Sequence, residues 1–329
     1  MTRNLITDVP GIRVGHADDA RLASGATAIV FDEPAVASVD VRGGAPGSHE
    51  TELLDPHRTV ERIDAVVLSG GSAFGLDACG GAQAWLREQG RGFAIGDVRI
   101  PIVCGAILFD MTNGGDKTWG RFPPYRDLGY AAAAATGADF ALGTAGAGYG
   151  AATVMLKGGL GSASAMTRHG HTVGALVAVN ACGNANIGTS RQFWAAPFEQ
   201  NGEFGGLGFP ANVPPEALMP VFKGQPGENT TIAIVATDAT LTKAQAYHFA
   251  AMAQVGLARA IYPVHTTLDG DTVFAAATGR RTLADPVTEL TTLGMIAANV
   301  LARAVARGVY EARALPFAGA RPSWKDKFG

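Results

Sequence analysis

Charge is scarce in this chain, cysteine is scarcer, and long low-complexity runs do not occur. Charged residues make up 17% of 329 positions and the net charge is −3. That balance excludes a basic nucleic-acid-binding face and a basic membrane-surface helix. The three cysteines, Cys79, Cys104 and Cys182, stand far apart without metal-ligand spacing. They read as reduced core thiols of a cytoplasmic protein, not as a disulfide framework. The opening residues lack the apolar core of a signal peptide. No uncharged apolar run has the length and flanks of a membrane span, and the Ala-rich stretch near Tyr130 is too short. Asp and Glu are missing altogether between Phe140 and Phe198. A dinucleotide fingerprint at Gly146-Ala-Gly148-Tyr-Gly150-Ala151 would need an acidic residue about twenty positions on for the ribose. Those glycines therefore read as a tight turn with close backbone packing, and no cofactor or metal is expected.

Apolar residues are plentiful, at 47%, enough for a substantial core. Val66-Val67-Leu68 predicts a buried strand, and a helix follows from about Ala73 to Gln89. Ala175 to Val179 predicts another strand, running into the turn Asn180-Ala-Cys-Gly-Asn184. Thr230 to Thr237 is β-branched and apolar on both faces, the pattern of a central strand. Thr242-Lys-Ala-Gln245 is a capping box opening a helix to about Ala260. Thr272 to Ala277 predicts a strand, and Asp285-Pro286 caps a last long helix to about Arg307. Residues 189–227, heavy in Gly and Pro, read as a linker or exposed excursion. Mixed strands and long helices favour a layered α/β or α+β sandwich.

The segment Gly227-Glu228-Asn229-Thr230-Thr231-Ile-Ala-Ile-Val carries the chemistry. A polar, glycine-bearing stretch ends at a hydroxyl residue that begins a buried strand. Inside a chain that threonine is a poor nucleophile. If the Asn229–Thr230 bond is cut, a free α-amine of unperturbed pKa about 7.7–8.0 appears beside Oγ and can take its proton. The hydroxyl can first attack the preceding carbonyl, giving an ester by N-to-O acyl shift. The competing reading is an ordinary Asn-Thr before a strand.

Asn229 to Asp238, followed by Pro263-Val-His265-Thr-Thr-Leu-Asp269-Gly-Asp271-Thr272, resembles the DmpA-type L-aminopeptidase/D-esterase family. That family includes β-peptidyl aminopeptidases and endo-type 6-aminohexanoate-oligomer (nylon-oligomer) hydrolases. Asp40-Val-Arg42-Gly-Gly-Ala-Pro-Gly47, Leu68-Ser-Gly-Gly-Ser72-Ala-Phe-Gly-Leu-Asp77, Ile100-Pro-Ile-Val and Leu156-Lys157-Gly-Gly-Leu-Gly-Ser162-Ala-Ser164 also resemble its motifs, in order, from about Asp8 to Ala306. The resemblance implies an α+β fold, a four-layer αββα sandwich of the DmpA/ornithine acetyltransferase type. It implies a single self-processing domain, residues 1–229 and 230–329 staying associated after autocleavage, in a homotetramer. By the same resemblance Thr230 is the nucleophile, Asn180 an oxyanion donor, and Asp269 with Asp271 the acidic pair that holds the Thr230 ammonium.

Each of these has a plainer reading. Asn180 also fits an ordinary turn, and Asp269-Gly-Asp271 a hairpin turn. Some family members place a catalytic lysine where this chain has Val154-Met155. Lys157 is the nearest candidate, and a structural lysine fits it as well. Phe109 stands near where some members have a site tyrosine, so that hydroxyl is missing here. Gly70-Gly71-Ser72, opening a helix, can bind a substrate carboxylate through free N–H groups or simply cap the helix. Ser72 lacks the elbow pattern of a hydrolase nucleophile. His169 and His171 read as surface residues, and His265 as a supporting group near the acidic pair. The Trp119–Tyr125 loop fits either a substrate wall or a packed surface loop. The expected activity is hydrolysis of short peptides or amino-acid amides. Hydrolysis of 6-aminohexanoate oligomers and acyl transfer are the alternatives.

Overall fold

The computed structural model describes residues 2–223 and 229–329. Gly227, Glu228 and the end of the Gly/Pro-rich stretch lie outside them. In chain order the elements are β1 (Ile12–Asp19), β2 (Ser24–Val41), β3 (Ser48–His49), β4 (Arg62–Ser69), α1 (Asp77–Glu88), β5 (Phe93–Ile95), β6 (Val98–Ile100) and β7 (Val103–Ile107). Then come α2 (Tyr125–Ala134), β8 (Gly159–Met166), β9 (Thr172–Asn180), β10 (Thr230–Ala239), α3 (Lys243–Ala260), β11 (Thr272–Arg281), α4 (Pro286–Tyr310) and α5 (Trp324–Phe328).

One hydrogen-bonded sheet runs β3-β7-β4-β2-β11-β10-β9-β8, with β1 on β2 and a separate β5-β6 hairpin. The long strand β2 joins its two halves. Residues 26–30 and 35–36 pair with β4 across a register shift, and residues 36–41 pair with β11. Asp32, Glu33 and Pro34 face solvent at that irregularity. The β4/β7 and β10/β11 pairs are parallel, each bridged by helical chain, and the other pairs are antiparallel.

Side-chain alternation makes the layers. On β10, Ile232, Ile234 and Ala236 enter an apolar core shared with Val66 and Leu68 of β4, so the two halves of the sheet pack face to face. Ala233 and Val235 point the other way, against α3 and α4. On β4, Ala65 and Val67 meet α1 and α2. The result is α on β on β on α, the α+β sandwich the sequence motifs imply. β10 is apolar on both faces because both faces are covered.

Thr242 caps α3, its side chain accepting from the Gln245 N–H, and Asp285 caps α4 through the N–H groups of Val287 and Thr288. The helix expected from Ala73 is split: a 3₁₀ turn spans Ser72–Leu76 and α1 begins at Asp77. Helix α4 is long and apolar enough to cross a membrane by composition. Here its Leu293, Ala297, Leu301 and Ala304 belong to the core. It lies tight on β8, where a Cβ at Gly161 would stand 1.8 Å from the Ala304 carbonyl oxygen.

Two sequence expectations need correction. The stretch after Thr189 is exposed for much of its described length, as one of its two readings had it, but it is no linker: Phe193 and Phe204 are buried against α4. Glu203 is ion-paired with the buried Arg303, whose guanidinium also donates to Asn4 Oδ1. Periodicity misses this segment because isolated aromatic and ionic anchors hold it. Nor is His171 a surface residue. It is buried, with Nε2 2.9 Å from Glu289 Oε2 in the first turn of α4.

Candidate active site

Three strand ends meet at the predicted nucleophile. Thr230 opens β10 directly opposite Asn180, the last residue of β9. Asn229 lies beside Asp269, in the turn that feeds β11. The Asn229 carbonyl is held from two sides: the Gly270 N–H donates to it at 3.0 Å, and the Thr230 hydroxyl donates to it in a very close contact. Gly270 must be glycine for this approach, since a Cβ there would stand 2.8 Å from Thr230 Oγ1. Thr230 is almost fully buried, 3% exposed, and Asn229 entirely so.

The acidic pair braces this junction. Asp271 accepts from the Thr231 N–H at 2.8 Å, and from His265 through its N–H at 3.0 Å and Nδ1 at 2.9 Å. Asp269 accepts from the Cys182 N–H at 2.9 Å and the Thr266 hydroxyl at 2.6 Å. Burial raises the Asp269 carboxyl above its ordinary pKa and neighbouring Asp271 raises it further, while the Thr266 and Cys182 bonds oppose both. In the uncut chain the Thr230 nitrogen is still a peptide nitrogen; the Asp271 carboxylate holds the N–H of the next residue, Thr231, and the Asp269 carboxylate ties its own turn to Cys182 and Thr266. The turn rests on Gly43: a Cβ there would lie 2.2 Å from the Asp271 nitrogen. The Arg42 and Ala45 N–H groups donate to the carbonyls of Asp271 and Asp269. The motif Asp40–Gly47 thus serves as the bed of the acidic turn.

A cavity of about 440 Å³ meets the junction at Asn180, with Phe109, Asp110, Lys157 and Lys223 also in its wall; Thr230, Asp269 and Asp271 are not among its lining residues. Asn180 Nδ2 donates to the Phe109 carbonyl at 2.9 Å, and its Oδ1 accepts from the Ala152 N–H at 3.0 Å. Lys157 is fully buried, its ammonium donating to the carbonyls of Gly148 and Gly158 at 3.0 and 2.9 Å. Burial pulls its pKa down to about 7; Asp110 opposes that shift and Lys223 adds to it.

Gly70, Gly71 and Ser72 are not part of this wall. Their N–H groups are taken up within the protein: Gly71 donates to Asp110 at 2.8 Å, Gly70 to the Gly25 carbonyl and Ser72 to the Leu108 carbonyl, while Asp110 also accepts from the Ser24 hydroxyl at 2.6 Å. A Cβ at Gly70 would fall 2.2 Å from Asp110 Oδ2, so the glycines make room for that carboxylate. Burial raises the Asp110 carboxyl pKa, and Lys117 pulls it back. Trp119 packs edge-on between Phe74 and Tyr125 and lies outside the cavity wall, as in the plainer reading of its loop. The turn at Gly146 and Gly148 packs as expected, since a Cβ at Gly148 would strike the Leu160 nitrogen at 2.1 Å. Sequence reasoning missed Asp110, Lys223 and Gly270. The first follows an apolar strand and the last sits inside the Asp-Gly-Asp turn, but neither spacing nor composition distinguishes them. Among the described residues, no three His, Cys, Asp or Glu side chains group as metal ligands.

The double-layered sheet is shared with solved aminopeptidases. A Burkholderia β-aminopeptidase superimposes with TM-score 0.73 at 23% identity, over 99% of this chain and 92% of that one. The L-aminopeptidase D-Ala-esterase/amidase of Ochrobactrum anthropi, described as a variant of the Ntn-hydrolase fold, gives 0.70 at 20% identity over 98% and 91%. The fold is thus that of the Ntn-hydrolase aminopeptidases. The profile of peptidase family S58 matches residues 4–321, and the chain belongs to that family. An uncharacterized aminopeptidase of Mycobacterium tuberculosis is 44% identical over 99% of this chain and 98% of its own length. The 6-aminohexanoate-oligomer endohydrolase of Kocuria sp. is 29% identical over 90% and 80%. The chain is therefore a hydrolase of the family its motifs resemble.

Proposed function

We propose that this hydrolase cuts itself between Asn229 and Thr230 and then uses Thr230 as the nucleophile of an aminopeptidase acting on short peptides or amino-acid amides. One observation carries the reading: the carbonyl to be attacked already lies between the Thr230 hydroxyl and the Gly270 N–H. Thr230 Oγ attacks the Asn229 carbonyl carbon while Gly270 supports the negative oxygen. The C–N bond breaks, the Thr230 nitrogen takes the hydroxyl proton and becomes an amine, and an ester is left. Water hydrolyses the ester, releasing the Asn229 carboxylate and restoring the hydroxyl.

In turnover the new amine, with an unperturbed pKa of about 7.7–8.0, accepts the Oγ proton as Oγ attacks the substrate carbonyl. The Gly270 N–H and the Asn180 amide nitrogen support the oxyanion, each such donor being worth about 3–4 kcal/mol. The amine returns the proton to the leaving group, and water, deprotonated by the same amine, frees the acyl product. Asp269 and Asp271 hold the turn and the ammonium form of the base. Lys157 lines the cavity as a buried amine whose lowered pKa lets it lose its proton near neutrality. The processed protomers assemble into a homotetramer, for which the exposed Phe93, Ile95, Val98 and Ile100 of the β5-β6 hairpin offer an apolar surface. The Kocuria relative and the Asp269/Asp271 pair favour a second reading, hydrolysis of 6-aminohexanoate oligomers.

A substrate panel separates the two. Amino-acid p-nitroanilides and dipeptides, tested beside a 6-aminohexanoate trimer, are expected to be cleaved with the higher kcat/KM by the wild type. Thr230→Ala is expected to cleave neither. Turnover of the trimer alone would transfer the assignment to the second reading, and full activity in Thr230→Ala would end both. The kcat/KM profile is expected to rise with pH and level above about 8, as the α-amine loses its proton.

A further inference from the structure

The uncut chain places one of its own ammonium groups in the cavity. Lys223 Nζ donates to Asn180 Oδ1 at 2.8 Å, to the Asn180 carbonyl at 3.2 Å, and to the Ala152 carbonyl in a closer contact. Its backbone is pinned at both ends, the Lys223 N–H donating to the Cys182 carbonyl and its own carbonyl accepting from Asn229 Nδ2 at 2.8 Å. Among the described residues, three oxygens converge on this nitrogen, a surrounding that suits a primary ammonium. Asn180 is almost wholly buried and lines the same cavity.

We propose that the carbonyls of Ala152 and Asn180, with Asn180 Oδ1, form the subsite for a substrate's primary ammonium, and that Lys223 fills it in the unprocessed chain. The inference rests on the Thr230 reading for its meaning, because Asn180 faces Thr230 across one strand spacing, about 5 Å. A cation there belongs to an acyl group whose amine lies close to the scissile carbonyl. The precursor thus offers its own site both parts of an aminoacyl substrate: a carbonyl under the hydroxyl and an ammonium on Asn180. An amide side chain can do both jobs at once, since Oδ1 accepts from the ammonium and Nδ2 donates. Lys157 shares the cavity, and with a pKa near 7 it gives up its charge readily when a second cation enters. Asp110, in the same wall, offsets the remaining positive charge.

Binding tests the subsite without catalysis. Glycinamide and N-acetylglycinamide are titrated by NMR into Thr230→Ala, which keeps Lys223, and into Thr230→Ala/Lys223→Met, which keeps the aliphatic stem and loses the ammonium. Thr230→Ala/Lys223→Gln serves as a second vacated form. Glycinamide is expected to bind both double variants at least tenfold tighter than the single variant, and the acetylated compound to bind none of them comparably. Equal binding of glycinamide to single and double variants overturns the subsite. So does acetylated ligand binding as well as the free amine, or no detectable binding to the vacated forms. Failure of the Thr230 reading would show separately, as an uncut wild-type chain whatever the titrations give.

Discussion

Gly270 holds the most exacting position in the site, because its N–H must reach the Asn229 carbonyl while its missing Cβ leaves room for Thr230 Oγ1. Gly270→Ala is therefore expected to slow self-cleavage by about 100-fold, the usual penalty for displacing a reacting atom by an ångström. The measure is the decay of uncut chain on denaturing gels, and an unchanged half-life would contradict the geometry. Lys157 makes a prediction about pH. Its pKa falls from 10.5 to about 7 on folding. Between those values the unfolded chain holds a proton that the folded chain has shed, so stability rises with pH across the window and is flat below it. In uncut Thr230→Ala, melting temperature is expected to climb from about pH 7 to 10 more steeply than in Thr230→Ala/Lys157→Met. Parallel curves would show that Lys157 keeps its proton. Thr230, Asn180 and the acidic pair were singled out through the family's motifs, because an Asn-Thr before a strand and an Asp-Gly-Asp turn look ordinary by themselves; the structure brings all four to one junction. Lys223 and Asp110 were not singled out, because their partners lie 43 and 86 positions away. For Gly70-Gly71-Ser72 the sequence left a substrate carboxylate and a plain cap both open, because the groups that accept these N–H bonds, Gly25, Asp110 and Leu108, lie far away in the chain.

Elements were read more reliably than residues. The β10 run is apolar on both faces, and the capping residues Thr242 and Asp285 stand where α3 and α4 begin. Periodicity failed at residues 189–223, which pack through Phe193, Phe204 and the Glu203–Arg303 pair without any repeat. It also hid the contact of α4 with β8, which depends on glycines where side chains are missing. Gly161→Ala pushes a methyl into the Ala304 carbonyl. It is expected to destabilise the fold by about 1–3 kcal/mol in urea unfolding, the usual cost of overpacking. A neutral result would mean that α4 can lift off β8 freely.

At the scale of the molecule, the proposed cut falls inside the sheet. Residues 1–229 supply β9 and residues 230–329 supply β10, and the two pair over eight residue positions from Thr230–Asn180 to Thr237–Val173. The two pieces are expected to co-elute on gel filtration and to part only in denaturant. Separation in plain buffer would contradict the shared core. The layered fold was legible from the family's motifs, whereas the folding of one sheet upon itself through β2 was not, because no local pattern marks a strand that serves both layers. The most direct test of Thr230 as nucleophile is intact mass spectrometry of denatured wild type beside Thr230→Ala. The wild type is predicted to give two chains, one ending at Asn229 and one beginning at Thr230, and the variant a single chain of 33.8 kDa. A wild-type chain that stays whole, or breaks at another bond, would contradict the account.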